Sequence, residues 1–415
     1  MASQKEDFSF QRRLEKEAEH WFEEGIITPE QKSRILQRYR LLQKAEEKAG
    51  PAKLITTVSI LGALLVGIGI ILFIASNWSL IPRWGKLLLI FLSLVGSYGF
   101  GFYFRFEKGN YPKVGASLIL LGSLIFGAGI FLIAQIYHLK AHEPNGLLLW
   151  AMGVLPLGYC LHFKSLISLG LIDLLIWLGM EASSRMSHVG PEWAEGPLMI
   201  LLFWTAGLTL WAIGLWHREW KSLKPISTPF ILAGALLSLL VGFILTFFRA
   251  GFLEYGFAYR SSSNLFIHFY PALLILFFIA VIFRYLPDEK ERGWRLETTG
   301  LLFLLATALV LSFYQKEILL ALKRNLRLIF NLLFALEVLG LIYLGFLRRY
   351  SVYVNIGLLF FSLGVVARYF DIFWGLLPRS LFFILGGLLL LFGGIYLERK
   401  RRKVLASFRL KEVEG

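Results

Sequence analysis

Residues 114–137 read VGASLILLGSLIFGAGIFLIAQIY, twenty-four positions without an Asp, Glu, Lys or Arg. A helix needs roughly 17–25 apolar residues to cross the hydrocarbon core of a bilayer. Within lipid the backbone must also satisfy its own polar groups, which a helix does. The stretch therefore reads as a membrane span. Eleven further runs of the same kind flank it, at 54–76, 87–104, 147–163, 165–180, 197–216, 229–248, 265–286, 298–314, 326–347, 352–370 and 380–397. The expected fold is all-α, a polytopic transmembrane helix bundle of about 12 spans with an N-terminal cytoplasmic helical hairpin. The expected division is a hairpin over 1–50, a membrane domain over 51–398 and a basic tail over 399–415.

The chain of 415 residues is 57% hydrophobic and 17% charged, and its charge gathers in the first fifty residues, the loops and the tail. The net charge of +15 lies beside apolar runs rather than on a continuous basic face, so membrane topology explains it and a nucleic-acid partner is not expected. Cys160, the single cysteine, excludes an intrachain disulfide and a multi-cysteine metal site. No cofactor is expected, and the charged first fifty residues do not read as a cleavable signal peptide. Pro82, Pro112, Pro144, Pro197, Pro229 and Pro378 precede or open spans, whereas Pro156 should kink the fourth. Trp78, Trp84, Trp216, Trp220, Trp294 and Trp374 fall near span ends, as an interfacial aromatic belt requires.

Orientation follows from Lys and Arg near span ends. With the amino terminus inside, Arg218, Lys221, Lys224, Lys290, Arg292, Arg295, Arg348, Arg349 and the run Arg399–Lys403 share the inner side. The outer loops near 138–146 and 181–196 carry only Lys140 and Arg185. Both termini are expected in the cytoplasm, and the protein in the cell inner (plasma) membrane.

Residues 8–48 read as the hairpin. Phe10, Leu14, Ala18 and Trp21 share a helical face, Gly25 stops the first helix, and Thr28, Pro29 and Gln31 open the second through a capping box. Two such helices bury too little to stand alone, so the segment is expected to pack on the membrane domain, on a second copy, or on a cytoplasmic protein partner. Within the membrane, GALLVGIGIIL at 62–72 recurs as GSLIFGAGIFL at 122–132, with six of eleven positions identical and all three glycines kept. Polar patches follow each copy: Asn77 and Trp78 after the first, Gln135, Tyr137 and His138 after the second. Ser59, Ala63 and Gly67, then Ser93, Ser97 and Gly101, then Ser123 and Gly127 stand four apart, a spacing that lets helices approach closely and offers contacts for a homo-oligomer.

Taken together, Trp21, Gly25 to Thr28, Glu30 and Gln31, the run from Gly62 to Trp78, and Ala134 to His138 resemble the bacterial membrane proteins of the domain-of-unknown-function 2157 family, over about residues 12–160. The resemblance implies a cytoplasmic helical hairpin leading into a multi-span bundle. It implies no activity, cofactor or catalytic residue.

Two carboxylates fall near the middle of their spans, Asp173 and Glu337. A charged acid there costs roughly 2.5–3.5 kcal/mol on insertion scales, so an acid at that depth points to a proton or cation site. Asn331 and Asn355 are candidates to join the Glu337 site, although no spacing rule demands it. The plainer reading is an acid hydrogen-bonded to a neighbouring helix. His138, His142 and Glu143 form a weaker metal candidate, which needs the helix to run on past Tyr137 so that both histidines share a face. There is no P-loop, no zinc-protease motif and no nucleophile elbow. Three readings stay open: a secondary transporter or lipid-handling permease with a protonatable intramembrane site, a non-catalytic scaffold or sensor acting through the hairpin, and an intramembrane enzyme acting on lipid or envelope precursors.

Overall fold

A computed structural model of the chain describes residues 17–32, 34–35, 80–108, 111–139, 142, 144–186, 195–247, 264–286, 293–313, 326–374, 381, 383–388, 390–396 and 398–399. The chain divides into two compact units, Met1–Lys86 and Leu87–Gly415. The described residues of the first unit include short helical stretches at 17–23 and 29–32 around a turn at Gly25. Gly25 takes φ +72°, and the amide of Ile26 reaches back to the carbonyl of Trp21 at 2.8 Å, the bond that closes a Schellman end. Thr28 and Gln31 exchange the two bonds of a capping box: the Thr28 amide donates to Gln31 Oε1 at 2.9 Å and the Gln31 amide to Thr28 Oγ1 at 3.3 Å. Lys32 pairs with Glu19 across the turn. The remainder of the predicted hairpin, the span at 54–76 and most of the tail lie outside the described residues.

Among the described residues there is no strand, and helices cover the other eleven apolar runs. They are α1 (Arg83–Phe102), α2 (Pro112–Ile136), α3 (Pro144–Cys160), α4 (Lys164–Met186), α5 (Glu195–Glu219), α6 (Ser227–Leu245), α7 (Asn264–Tyr285), α8 (Trp294–Phe313), α9 (Leu326–Leu347) and α10 (Ser351–Phe373), with a last helical run at 381–396. Among the described residues, eight helices are long and apolar enough to cross a membrane, and the stretches Phe269–Tyr285 and Phe383–Tyr396 are shorter apolar helices. Pro112 and Pro144 open α2 and α3, where a missing amide costs nothing, and α3 continues through Pro156.

α5 and α6 form the centre of the second unit, and their spans are the most buried. They run antiparallel in close contact because glycines remove the side chains between them. A Cβ at Gly214 would stand 2.7 Å from the Ile231 amide nitrogen, and one at Gly207 3.1 Å from that of Ser238. Around this pair, α7 and α8 pack on α5, while α9 and α10 pack on α6. Their shared core includes Trp204, Trp211, Leu239, Phe277, Phe334 and Phe360. α3 and α4 pair with each other and lean on α6. In α2 the small residues Ser123 and Gly127 seat an aromatic ring rather than a neighbouring helix backbone: Trp150 lies on buried Gly127 and donates its indole N–H to the Ser123 carbonyl at 2.9 Å.

Candidate functional site

Glu337 sits halfway along α9 and turns toward α6. Its Oε1 accepts the Ser238 hydroxyl at 2.6 Å, and Ser238 Oγ accepts the Trp204 indole N–H at 3.0 Å. Trp204 and Ser238 are fully buried, so the relay from α5 through α6 to α9 holds the carboxylate in one place. Gly242, one turn beyond Ser238, makes the room: a Cβ there would stand 3.2 Å from Glu337 Oε2. Glu337 also lines a cavity of about 240 Å³ between α8 and α9, whose wall is otherwise almost entirely leucine, phenylalanine and glycine. Gly300 and Gly340 face open space in that wall and keep it wide.

The same cavity is lined by a second carboxylate, Glu297, in the first turn of α8. Glu297 belongs to a buried ion cluster assembled from five helices. Arg284, in the last turn of α7, reaches Glu297 Oε2 at 2.6 Å, Thr298 Oγ1 at 2.8 Å and Glu219 Oε1, at the end of α5, at 3.4 Å. Arg348, just past α9, stands 2.8 Å from Glu297 Oε2. Tyr353 at the start of α10 donates its hydroxyl to Glu297 Oε1 and accepts the Trp211 indole N–H at 2.8 Å. All four charged side chains are at most 2% exposed. Among the described residues, two cations, Arg284 and Arg348, meet two anions, Glu219 and Glu297, so these four side chains balance one another. Glu297 at a helix start and Arg284 at a helix end also have the signs that the helix dipole favours.

Asp173, the other predicted carboxylate, is 2% exposed on α4, and its Oδ2 has no hydrogen-bond partner among the described residues. It does not line the α8–α9 cavity. Asn331 lies six residues before Glu337 on another face of α9, where its amide donates to the Arg327 carbonyl at 2.7 Å. Asn355 is half-buried on α10 and is likewise outside the lining of that cavity.

The helix that the histidine pair needed stops early. α2 ends at Ile136, and His138 takes φ +51°. The amide of Leu139 bonds the Ala134 carbonyl at 2.9 Å, so His138 occupies the left-handed position of a Schellman end. His142 instead meets Glu181 of α4 at 2.5 Å, and Glu181 also binds Arg185 at 2.6 Å. Among the described residues no three His, Cys, Asp or Glu side chains are grouped to hold a metal ion. Gln135, Tyr137 and His138 are exposed, while Asn77, Trp78 and Glu143 lie outside the described residues.

Sequence reasoning missed the ion cluster. Glu219, Arg284, Glu297 and Arg348 each sit at a helix end, where a charge ordinarily meets water. Balanced opposite charges at four ends on one side of the bundle were the available signal.

An all-helical chain with several membrane-length apolar helices is a polytopic membrane protein. Residues 19–167 match the family described as Predicted membrane protein (DUF2157), so the resemblance carried by Trp21, Gly25 and the Ala134–His138 motif is shown over that segment. The match ends in the first turn of α4, before Asp173, Glu337 and the ion cluster. No curated protein and no solved structure is significantly similar to the chain.

Proposed function

We propose that the protein is a secondary transporter or permease of the cell inner membrane in which Glu337 is the protonatable site. The observation that supports this is the position of its carboxylate. It lines a cavity of about 240 Å³ that runs along α8 and α9 and opens to the side of the bundle, and it is oriented by Ser238. Leucine at such a position would pack without the insertion cost of an acid, so the acid has a use beyond packing. Glu297 lines the other end of the cavity. It is eleven residues of α9 away, judged from its partner Arg348, or about 16 Å at ~1.5 Å per residue. A proton or cation entering at Glu337 thus faces a second carboxylate whose charge Arg284 and Arg348 already balance. Both termini are cytoplasmic in this reading. The basic residues Arg218, Lys224, Arg295, Arg348 and Arg349 support it, because they gather at the end of the bundle that holds Glu297.

The test is proton flux into liposomes containing the full chain. A pH-sensitive dye is trapped inside, an inward proton gradient is imposed, and a mixture of small polar and amphipathic solutes is offered outside. Glu337→Gln and Gly340→Leu, which fills the cavity from open space, should each abolish solute-dependent flux. Flux equal to that of the unsubstituted chain in both variants would remove the cavity from transport and leave the scaffold reading in its place.

A further inference from the structure

On the opposite side of α9, and at the opposite end of the bundle from Glu297, lies a larger cavity of about 420 Å³. Its size falls within the range of roughly 300–1,000 Å³ typical of small-ligand sites. α6, α9 and α10 build it, and its character changes along its length. Toward mid-membrane it is lined by Phe334, Val338, Leu339 and Phe361. Toward the helix ends it meets Thr246 and Arg368. From Asn331 to Leu339 it extends about 12 Å along α9, at ~1.5 Å per residue.

The polar end is charged. Arg368 donates to Thr246 Oγ1 at 3.1 Å and to Asp371 Oδ2 at 3.1 Å, and its guanidinium stands 4.7 Å from the Phe247 ring centre. Arg327 at the start of α9 pairs with the same Asp371 oxygen. Among the described residues two guanidiniums therefore share one carboxylate, which leaves an excess of one positive charge in this group. Arg327 and Asp371 are partly exposed, with side chains 45% and 33% accessible. A narrow apolar cavity capped by excess positive charge at a membrane-helix end matches an amphiphile with one hydrocarbon chain inward and an anionic head at the rim.

We propose that this cavity binds one acyl chain of an anionic phospholipid of the surrounding bilayer, with Arg368 and Arg327 taking the phosphate. The site is separate from the Glu337 cavity and stands or falls independently of transport.

The full chain is purified, stripped of lipid and titrated with spin-labelled phosphatidylglycerol or phosphatidylcholine in mixed micelles, and bound lipid is read from its immobilised signal. Phosphatidylglycerol should bind about tenfold more tightly than phosphatidylcholine, as a charge-assisted contact implies. Arg368→Gln should equalise the two lipids, Arg368→Lys should restore most of the preference, and Ala335→Phe, which fills the cavity from its exposed rim, should weaken both. Thermal unfolding of each variant identifies any that misfold; if Arg368→Gln does, Ala335→Phe and the unsubstituted chain still decide. Equal binding of both lipids by the unsubstituted chain overturns the proposal, as does unchanged binding in Ala335→Phe. Displacement of phosphatidylglycerol by an equal concentration of free fatty acid would move the ligand's source out of the bilayer and overturn the phospholipid assignment.

Discussion

Replacing Arg284 with Met tests whether the ion cluster holds the end of the bundle together. The side chain is 2% exposed and contacts Glu297, Thr298 and Glu219. Met keeps the unbranched apolar stem and removes the guanidinium and its charge, leaving two buried carboxylates against Arg348 alone. Breaking a buried pair from one side costs about 3–5 kcal/mol, because the partner stays buried without compensation. Glu297→Gln should cost a similar amount, since it leaves two buried cations, Arg284 and Arg348, against Glu219 alone. The double variant Arg284→Met, Glu297→Gln leaves one anion, Glu219, and one cation, Arg348, so the cluster is neutral again. Its loss should fall short of the summed single losses by about 1–3 kcal/mol. Arg327→Ala is the internal control: its pair with Asp371 is partly exposed and should contribute about 0–1 kcal/mol. Unfolding of the purified chain by SDS titration, followed by tryptophan fluorescence, measures all four. Single losses no larger than that of Arg327→Ala would refute the reasoning, as would a double variant that loses the full sum.

Three residues in left-handed conformation, His138, His162 and Arg349, end helices at φ +51°, +49° and +53°. Each should gain about 0.5–1 kcal/mol when replaced by Gly, read as a raised unfolding midpoint, because the Cβ strain there exceeds the entropy that glycine loses. Gly127→Ala should destabilise by about 1–3 kcal/mol, since its Cβ would enter the Trp150 ring, whereas Gly99→Ala on α1 meets nothing within 4 Å and should be neutral or stabilising in the same thermal melt. Asp173→Leu removes a buried oxygen that has no hydrogen-bond partner among the described residues, and should raise stability by about 1–3 kcal/mol in SDS titration.

The helices were legible because apolar run length is a direct reading of bilayer thickness: the run 114–137 is the helix Pro112–Ile136, with its proline at the start. The capping box at Thr28 and Gln31 was legible for a similar reason, since a cap is a contact between residues three apart. The left-handed turn that closes α2 was not, because its position is filled by His138 where glycine is the usual signal. Glu337 stood out because an acid deep in an apolar run is costly wherever its partners lie. Those partners were hidden, since Ser238 is 99 residues away and reaches it only through the packing of α6 on α9. The ion cluster was hidden for both reasons at once. Its charges sit at span ends, where Arg348 also serves the topology count, and Glu219 and Arg284 are 65 residues apart.

The neutrality of that cluster has an electrical consequence. A membrane potential does work of about 2.3 kcal/mol per elementary charge per 100 mV, but only on charge that is displaced through the field. If the ends of α5, α7, α8 and α9 move as one body, Glu219, Arg284, Glu297 and Arg348 travel with zero net charge, and voltage does no work on the step. If Arg284 separates from Glu297, each moves as a full charge, and the step becomes voltage-dependent. These four side chains therefore contribute no gating charge of their own for as long as their ion pairs stay closed.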